Sequence, residues 1–276
     1  MSINVGVMQG RLSTSIHNSI QAFPKNSWAQ EFELAQKIGL DSIEWIFDTY
    51  EKNPIMEKKF NEINDLISKF QININSICAD YFIVNKLFNE SEINIKKNLE
   101  VLKQLAINCK EIGVKIIEIP LVDNSSLKSE KNKNELVNNL EKILQEINDL
   151  ELTITLETDL APMEFVDLLN RFENNKVFAN YDTGNSASLG FNVNEELEIL
   201  RNKIKNIHLK DRLLNGSTVP FGSGNVNFNE FFVMLKKINY SGDLIIQGAR
   251  EKEISPEQNC LKYLKFTKQY LDKYNQ

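Results

Sequence analysis

Eight short apolar runs recur along the chain, each followed by a stretch of helical periodicity, and this alternation limits the fold more than any other feature. The runs cover residues 3–9, 42–47, 74–79, 115–120, 152–157, 177–182, 204–209 and 243–247. Each is rich in β-branched or aromatic residues, as strands covered on both faces are. Between them, Trp28, Phe32, Ala35 and Ile38 fall on one helical stripe before Gly39, and Leu136, Leu140, Ile143, Leu144 and Ile147 form another. Asn227 to Glu230 reads as a helix entry into Phe231, Phe232, Leu235 and Ile238, and Gly39 and Gly113 as helix stops.

Eight strand–helix units in 276 residues match the usual length of a single α/β (β/α)₈ barrel. An open doubly wound sheet normally carries a Gly-rich phosphate loop after its first strand. Met8-Gln-Gly-Arg11 has one glycine there. No low-complexity or Pro/Gly/Ser-rich segment divides the chain, and the charged 128–133 stretch reads as a solvated helix entry, so residues 1–276 are expected to form one domain.

The charge balance is 32 basic against 38 acidic residues, a net −6 with a pI near 5.2. That argues against a nucleic-acid binder, which presents a basic face. Cys78, Cys109 and Cys260 form no CxxC pair and no even framework, which fits a reducing compartment. With neither a secretory signal nor a long apolar run, the expectation is a cytoplasmic protein without a membrane segment.

The chemistry is concentrated where barrel active sites form, at the strand C-termini. Strands five to eight end in Glu157, Asp182, His208 and Gln247, each closing an apolar run where a charge is costly unless paired or bound to metal. Two carboxylates, an imidazole and an amide oxygen on consecutive strands make a cage for one divalent cation. Its oxygen-rich donors suit Mn²⁺ first, with Mg²⁺, Co²⁺ or Zn²⁺ as alternatives. The structural readings are a Glu157–Lys210 ion pair, an Asp182 cap on the following turn and a hydrogen-bonded core His208.

The segments Leu156-Glu157, Tyr181-Asp-Thr-Gly-Asn185, Ile207-His-Leu-Lys-Asp-Arg212 and Pro220-Phe-Gly-Ser-Gly-Asn-Val-Asn-Phe228 resemble the sugar phosphate isomerase/epimerase family, which has a xylose isomerase-like TIM barrel. Met8–Leu12, Gln21–Pro24, Ile43–Ile46 and Cys78–Tyr81 are similar to one branch of that family, and the resemblance spans essentially the whole chain. It implies a carbohydrate substrate and a divalent metal held by Glu157, Asp182 and His208. The family's fourth ligand is a strand-eight glutamate, and here Gln247 stands in its place. The family's reaction moves a proton beside a carbonyl, with the metal stabilising an ene-diolate and two glutamates serving as acid and base. Gln247 offers an oxygen to a metal but cannot exchange a proton near neutral pH.

Two schemes follow. Glu157 works alone on one face, as in an aldose–ketose isomerase, or a second acid/base comes from Glu118, Asp80 or Glu44. Lys210, on the same side of its strand as His208, either polarises a substrate oxygen or holds Glu157. Arg11, Arg212 and Arg250 near strand ends are candidates to receive a phosphate or carboxylate, and Asp211 to orient a ligand or cap a turn. Trp45, with Trp28, Tyr81 and Phe23, is a candidate sugar-facing aromatic, and the Gly222-Ser-Gly224 loop a candidate for close approach to substrate. His17 lies in a polar loop. Two histidines cannot furnish the trinuclear zinc site of the endonucleases on this barrel. The competing functions are a non-catalytic sugar-binding barrel with a degenerate site and a keto-inositol dehydratase. The helix expected over 258–274 either packs on its own barrel or serves a homodimer.

Overall fold

The computed structural model describes residues 3–15, 21–173 and 175–274; His17 lies outside them. Eight parallel strands close a barrel: β1 (Val5–Met8), β2 (Ser42–Ile46), β3 (Ser76–Cys78), β4 (Ile116–Leu121), β5 (Thr153–Thr158), β6 (Val177–Asp182), β7 (Ile204–Leu209) and β8 (Asp243–Ile246). Neighbours follow chain order, with β1 between β2 and β8. Among the described residues ten α-helices accompany them: α1 (Gln30–Ile38), α2 (Phe60–Phe70), α3 (Tyr81–Val84), α4 (Glu92–Glu111), α5 (Glu130–Glu146), α6 (Pro162–Asn170), α7 (Thr183–Leu189), α8 (Val193–Leu200), α9 (Phe228–Lys237) and α10 (Pro256–Tyr274).

Local chemistry sets the helix ends. Ser91, Ser129 and Asn227 each accept a backbone N–H as N-caps of α4, α5 and α9. Gly39 ends α1 at φ 85°, a left-handed turn that glycine adopts without a Cβ clash. The apolar helix stripes, including Phe32, Leu102, Leu140 and Phe231, bury against the outer face of the barrel. Strand β3 is shorter than the 74–79 run. Asn75 lies outside it, its side-chain amide donating to Asp243 Oδ2 at 2.6 Å.

One irregularity positions the site. Ala179 pairs with Ile204 but Asn180 pairs with Asn206, so Lys205 is an extra residue in β7. Because side chains alternate, one added residue changes which partners face each other. Here it sets His208 opposite Asp182. Helix α10 packs on α1, α9, β1 and β8, the same barrel it belongs to. No helix among the described residues is long and apolar enough to cross a membrane.

Candidate active site and metal-ligand cluster

The strand C-termini open into a cavity of about 740 Å³, lined by Glu118, Glu157, His208, Lys210 and Gln247 among others. Glu157, Asp182 and His208, on the adjacent strands β5, β6 and β7, are all buried. Each offers a ligand atom, and these atoms lie within 4.8 Å of one another. Asp182 also caps α7: Oδ1 accepts the Asn185 N–H at 2.8 Å, while Oδ2 accepts from Lys210 Nζ at 2.6 Å. Lys210 therefore pairs with Asp182 rather than Glu157. Burial lowers the lysine's affinity for its proton, but Asp182 and then Glu157 outweigh that and raise its pKa. Its stem runs over Gly184, where an added Cβ would lie 2.8 Å from Lys210 Cβ and Cγ. Glycine leaves room for the lysine to reach Asp182.

His208 is held from both sides. Nε2 lies 2.6 Å from Glu44 Oε1, and Nδ1 lies 2.9 Å from Glu157 Oε2 and 3.1 Å from Asn180 Nδ2. Burial pulls its pKa down, but the charges and hydrogen bonds of Glu44 and Glu157 carry it well above the usual imidazole value. Glu44 is fully buried. Its other oxygen accepts from Ser76 Oγ and from Asn206 Nδ2 at 2.6 Å. It does not line the cavity, so among the candidate second acids Glu44 is out of a substrate's reach. Glu157 accepts from Asn180 Nδ2 and Asn185 Nδ2, both at 2.7 Å.

Glu118 and Asp80 do line the cavity. Glu118 is completely buried, and among the described residues no N–H or O–H group donates to either oxygen; the Cys78 thiol lies beside it. Burial, and then the charge of Glu157, push its carboxyl well above the usual carboxylate range against the pull of His208. Arg11 and Arg212 also reach the cavity. Burial, reinforced by the charge of Arg250, lowers Arg11 to about 10. Arg212 donates through Nη1 to Asn185 Oδ1 at 2.8 Å and through Nε and Nη2 to the Gly216 carbonyl.

Three expected substrate contacts lie elsewhere. Trp45 is fully buried on the outer side of β2, its indole N–H on Asn53 and its ring against Phe23 and Trp28. These three rings are core, and Tyr81 packs at a tilt on Phe47 and edge-on against Phe82. Arg250 donates to the Ser13 and Gly10 carbonyls, tying down the segment after β1. Asp211 is fully buried and accepts the N–H groups of Gly222, Gly224 and Val226, so the glycine loop wraps a carboxylate of its own chain.

Ser76, Asn180 and Asn206 carry no motif, yet each stands two residues before an inward-facing strand position at 78, 182 or 208. Strand alternation is the signal that locates them. Alternation also separates Glu44, facing in, from Trp45, facing out.

The donor set suits a divalent cation. Glu157 and Asp182 supply carboxylate oxygens and His208 a ring nitrogen. Its other nitrogen is held by a carboxylate, the usual arrangement behind a metal-bound histidine. Gln247 adds a buried oxygen, Oε1, with no hydrogen-bond partner among the described residues. A model of the xylose isomerase-like TIM barrel matches residues 32–270. The chain belongs to that family. SgbU of Haemophilus influenzae, named as an L-ribulose-5-phosphate 3-epimerase, is 27% identical over 92% of this chain and 95% of its own. An inosose dehydratase of Clostridium botulinum is 28% identical over 82% of this chain and 83% of its own. Among solved structures, the IolI protein with a bound zinc atom superposes with a TM-score of 0.78 at 20% identity, covering 99% of both chains. At that identity the likeness shows the fold.

Proposed function

We propose that this protein is a divalent-metal-dependent isomerase or epimerase of a sugar or sugar phosphate, working by proton abstraction beside a carbonyl. The observation that carries the reading is the buried Glu157–Asp182–His208 cluster within 4.8 Å at the mouth of the barrel. These residues and Gln247 would hold one cation, Mn²⁺ being the best match to an oxygen-rich set. Such an ion would supply Lewis-acid stabilisation of the negative charge that develops on the substrate's oxygens.

The chain's own residues supply the remaining functions. Glu157 is the base: Asn180 and Asn185 fix its two oxygens, and it takes the proton from the carbon beside the carbonyl. Glu118, with its raised pKa and no N–H or O–H donor on it among the described residues, is suited to deliver a proton from strand β4. It takes the acid role that Gln247 cannot fill. Lys210, anchored on Asp182, places a cation beside the oxygen on which charge develops. Arg11, Arg212 and Asp80 orient the substrate's outer hydroxyls or phosphate. Three free, buried cysteines fit a reducing cytoplasm. A second reading, dehydration of a keto-inositol, rests on the likeness to inosose dehydratases.

Solvent deuterium uptake by L-ribulose, L-ribulose 5-phosphate and D-allulose with Mn²⁺ tests the proposal. The wild type should exchange the proton beside the carbonyl of at least one, and Glu157→Gln should slow that exchange by at least a hundredfold. Full-rate exchange in Glu157→Gln would remove Glu157 from the role of base.

A further inference from the structure

Gln247 lines the cavity with Glu157 and His208, and an amide, unlike the carboxylate that the family resemblance implies there, has two unlike ends. A primary amide helps a cation only if its oxygen faces inward, since the –NH₂ end carries donors alone. The hydrogen bonds around Gln247 settle which end does so. Gln247 Nε2 donates to Gln21 Oε1 at 2.8 Å, and Gln21 Nε2 donates to Asp80 Oδ2 at 2.7 Å. The other oxygen of Asp80, Oδ1, accepts from Cys78 Sγ at 3.3 Å. Burial raises the Asp80 pKa while the hydrogen bonds from Gln21 and Cys78 oppose it, and as a carboxylate that only accepts, Asp80 takes the –NH₂ end of Gln21. That leaves Gln21 with its oxygen toward Gln247, which must then turn its own –NH₂ to Gln21. The atom left over is Gln247 Oε1, on a side chain only 6% exposed and without a hydrogen-bond partner among the described residues. Gln21, Asp80 and Gln247 line the same cavity as Glu157 and His208.

We propose that Asp80 and Gln21 form an amide-orienting relay that presents Gln247 to the cation as a carbonyl-type oxygen donor. The proposal rests on the metal-site reading above. Asp80 and Gln21 are positioning residues in this scheme. Their acceptor–donor polarity, passed through two amides, restores the oxygen ligand that the glutamate-to-glutamine difference would otherwise leave to chance orientation.

The test is Mn²⁺ affinity, read from the EPR signal of free Mn²⁺ during titration of the metal-free protein, for the wild type, Gln247→Met, Gln21→Met, Asp80→Ala and the Gln21→Met/Asp80→Ala double variant. Gln21→Met changes no charge, so it separates orientation from simple electrostatics. Gln21 is only half-buried, which makes the substitution compatible with folding, and circular dichroism confirms it. Each single variant should weaken Mn²⁺ binding about tenfold. The double variant should be no weaker than Asp80→Ala alone, because Ala removes the acceptor that orients Gln21 and both substitutions then break one chain. Binding by Gln21→Met within twofold of wild type would overturn the relay and leave the metal site standing, as would an additive double variant. A wild type that binds no Mn²⁺ would remove the metal reading and the relay together.

Discussion

Both oxygens of Glu44 are engaged: one takes the His208 ring N–H and the other takes Ser76 and Asn206. Such a carboxylate holds an imidazole in one orientation and one tautomer, which prepares the opposite nitrogen to bind a metal. Glu44→Gln offers a single accepting oxygen and must lose either the histidine or the Asn206–Ser76 side. It is expected to weaken Mn²⁺ binding by ten- to a hundredfold and to lower stability by about 1–3 kcal/mol. Titration of the metal-free protein together with urea unfolding checks both. Because the chain holds two histidines, the ¹⁵N imidazole spectrum with His17→Ala isolates the His208 signal directly. Unchanged nitrogen shifts in Glu44→Gln would show that Glu44 does not set the ring. At this scale, Glu157, Asp182 and His208 were legible because a polar residue closing an apolar run stands out. Glu44, Asn180 and Asn206 are inward-facing residues one layer deeper in the barrel. They become readable only once it is known which face of each strand turns inward, and Lys205, the extra residue in β7, breaks simple counting there.

Elements were readable where their ends carry caps: Asn227 and Gly39 act as expected. The loops between them were less so, because a polar loop residue facing substrate and one facing its own backbone look alike in sequence. Asp211 illustrates the difference. It opens a two-residue strand, Asp211–Arg212, paired antiparallel with Thr218–Val219, and its carboxylate gathers three N–H groups from the loop that follows. At Gly224 an added Cβ would lie 2.2 Å from Asp211 Oδ1, so the glycine is there to let the backbone close on the carboxylate. Asp211→Ala leaves those donors without their acceptor. It should cost about 2–4 kcal/mol, given roughly 1–3 for a buried unpaired donor and partial rescue by water. Thermal melting measures the loss, and limited proteolysis should cut within 220–226 first. A variant with unchanged melting and protease resistance would return Asp211 to the list of substrate contacts.

The whole molecule carries a net −6, yet several carboxylates lie inside it, and this couples folding to pH. Glu196 on α8 is the clearest case away from the cavity. It accepts from Tyr181 Oη at 3.0 Å and from Ser186 Oγ, between β6 and the helices α7 and α8. Burial raises its pKa from the usual 4.5 to about 7, with Ser186 and Tyr181 opposing. Between pH 4.5 and 7 the folded chain therefore holds a proton at Glu196 that the unfolded chain has released. Stability must fall as pH rises through that window and level off above it. The full effect is about 3 kcal/mol for a shift of that size. Burial raises Glu31 to about 7 as well, so the wild type should unfold at lower urea at pH 8 than at pH 5.5. Glu196→Gln keeps an accepting oxygen for Tyr181 and Ser186 but cannot titrate. Its stability relative to wild type should rise by about 2–3 kcal/mol from pH 5 to pH 8, while Glu31 contributes equally to both proteins and cancels. Urea unfolding at four pH values across that range gives the two curves. If they run parallel, Glu196 ionises in the folded protein as it does in the unfolded chain, and the buried cluster around Tyr181 contributes nothing to the pH dependence.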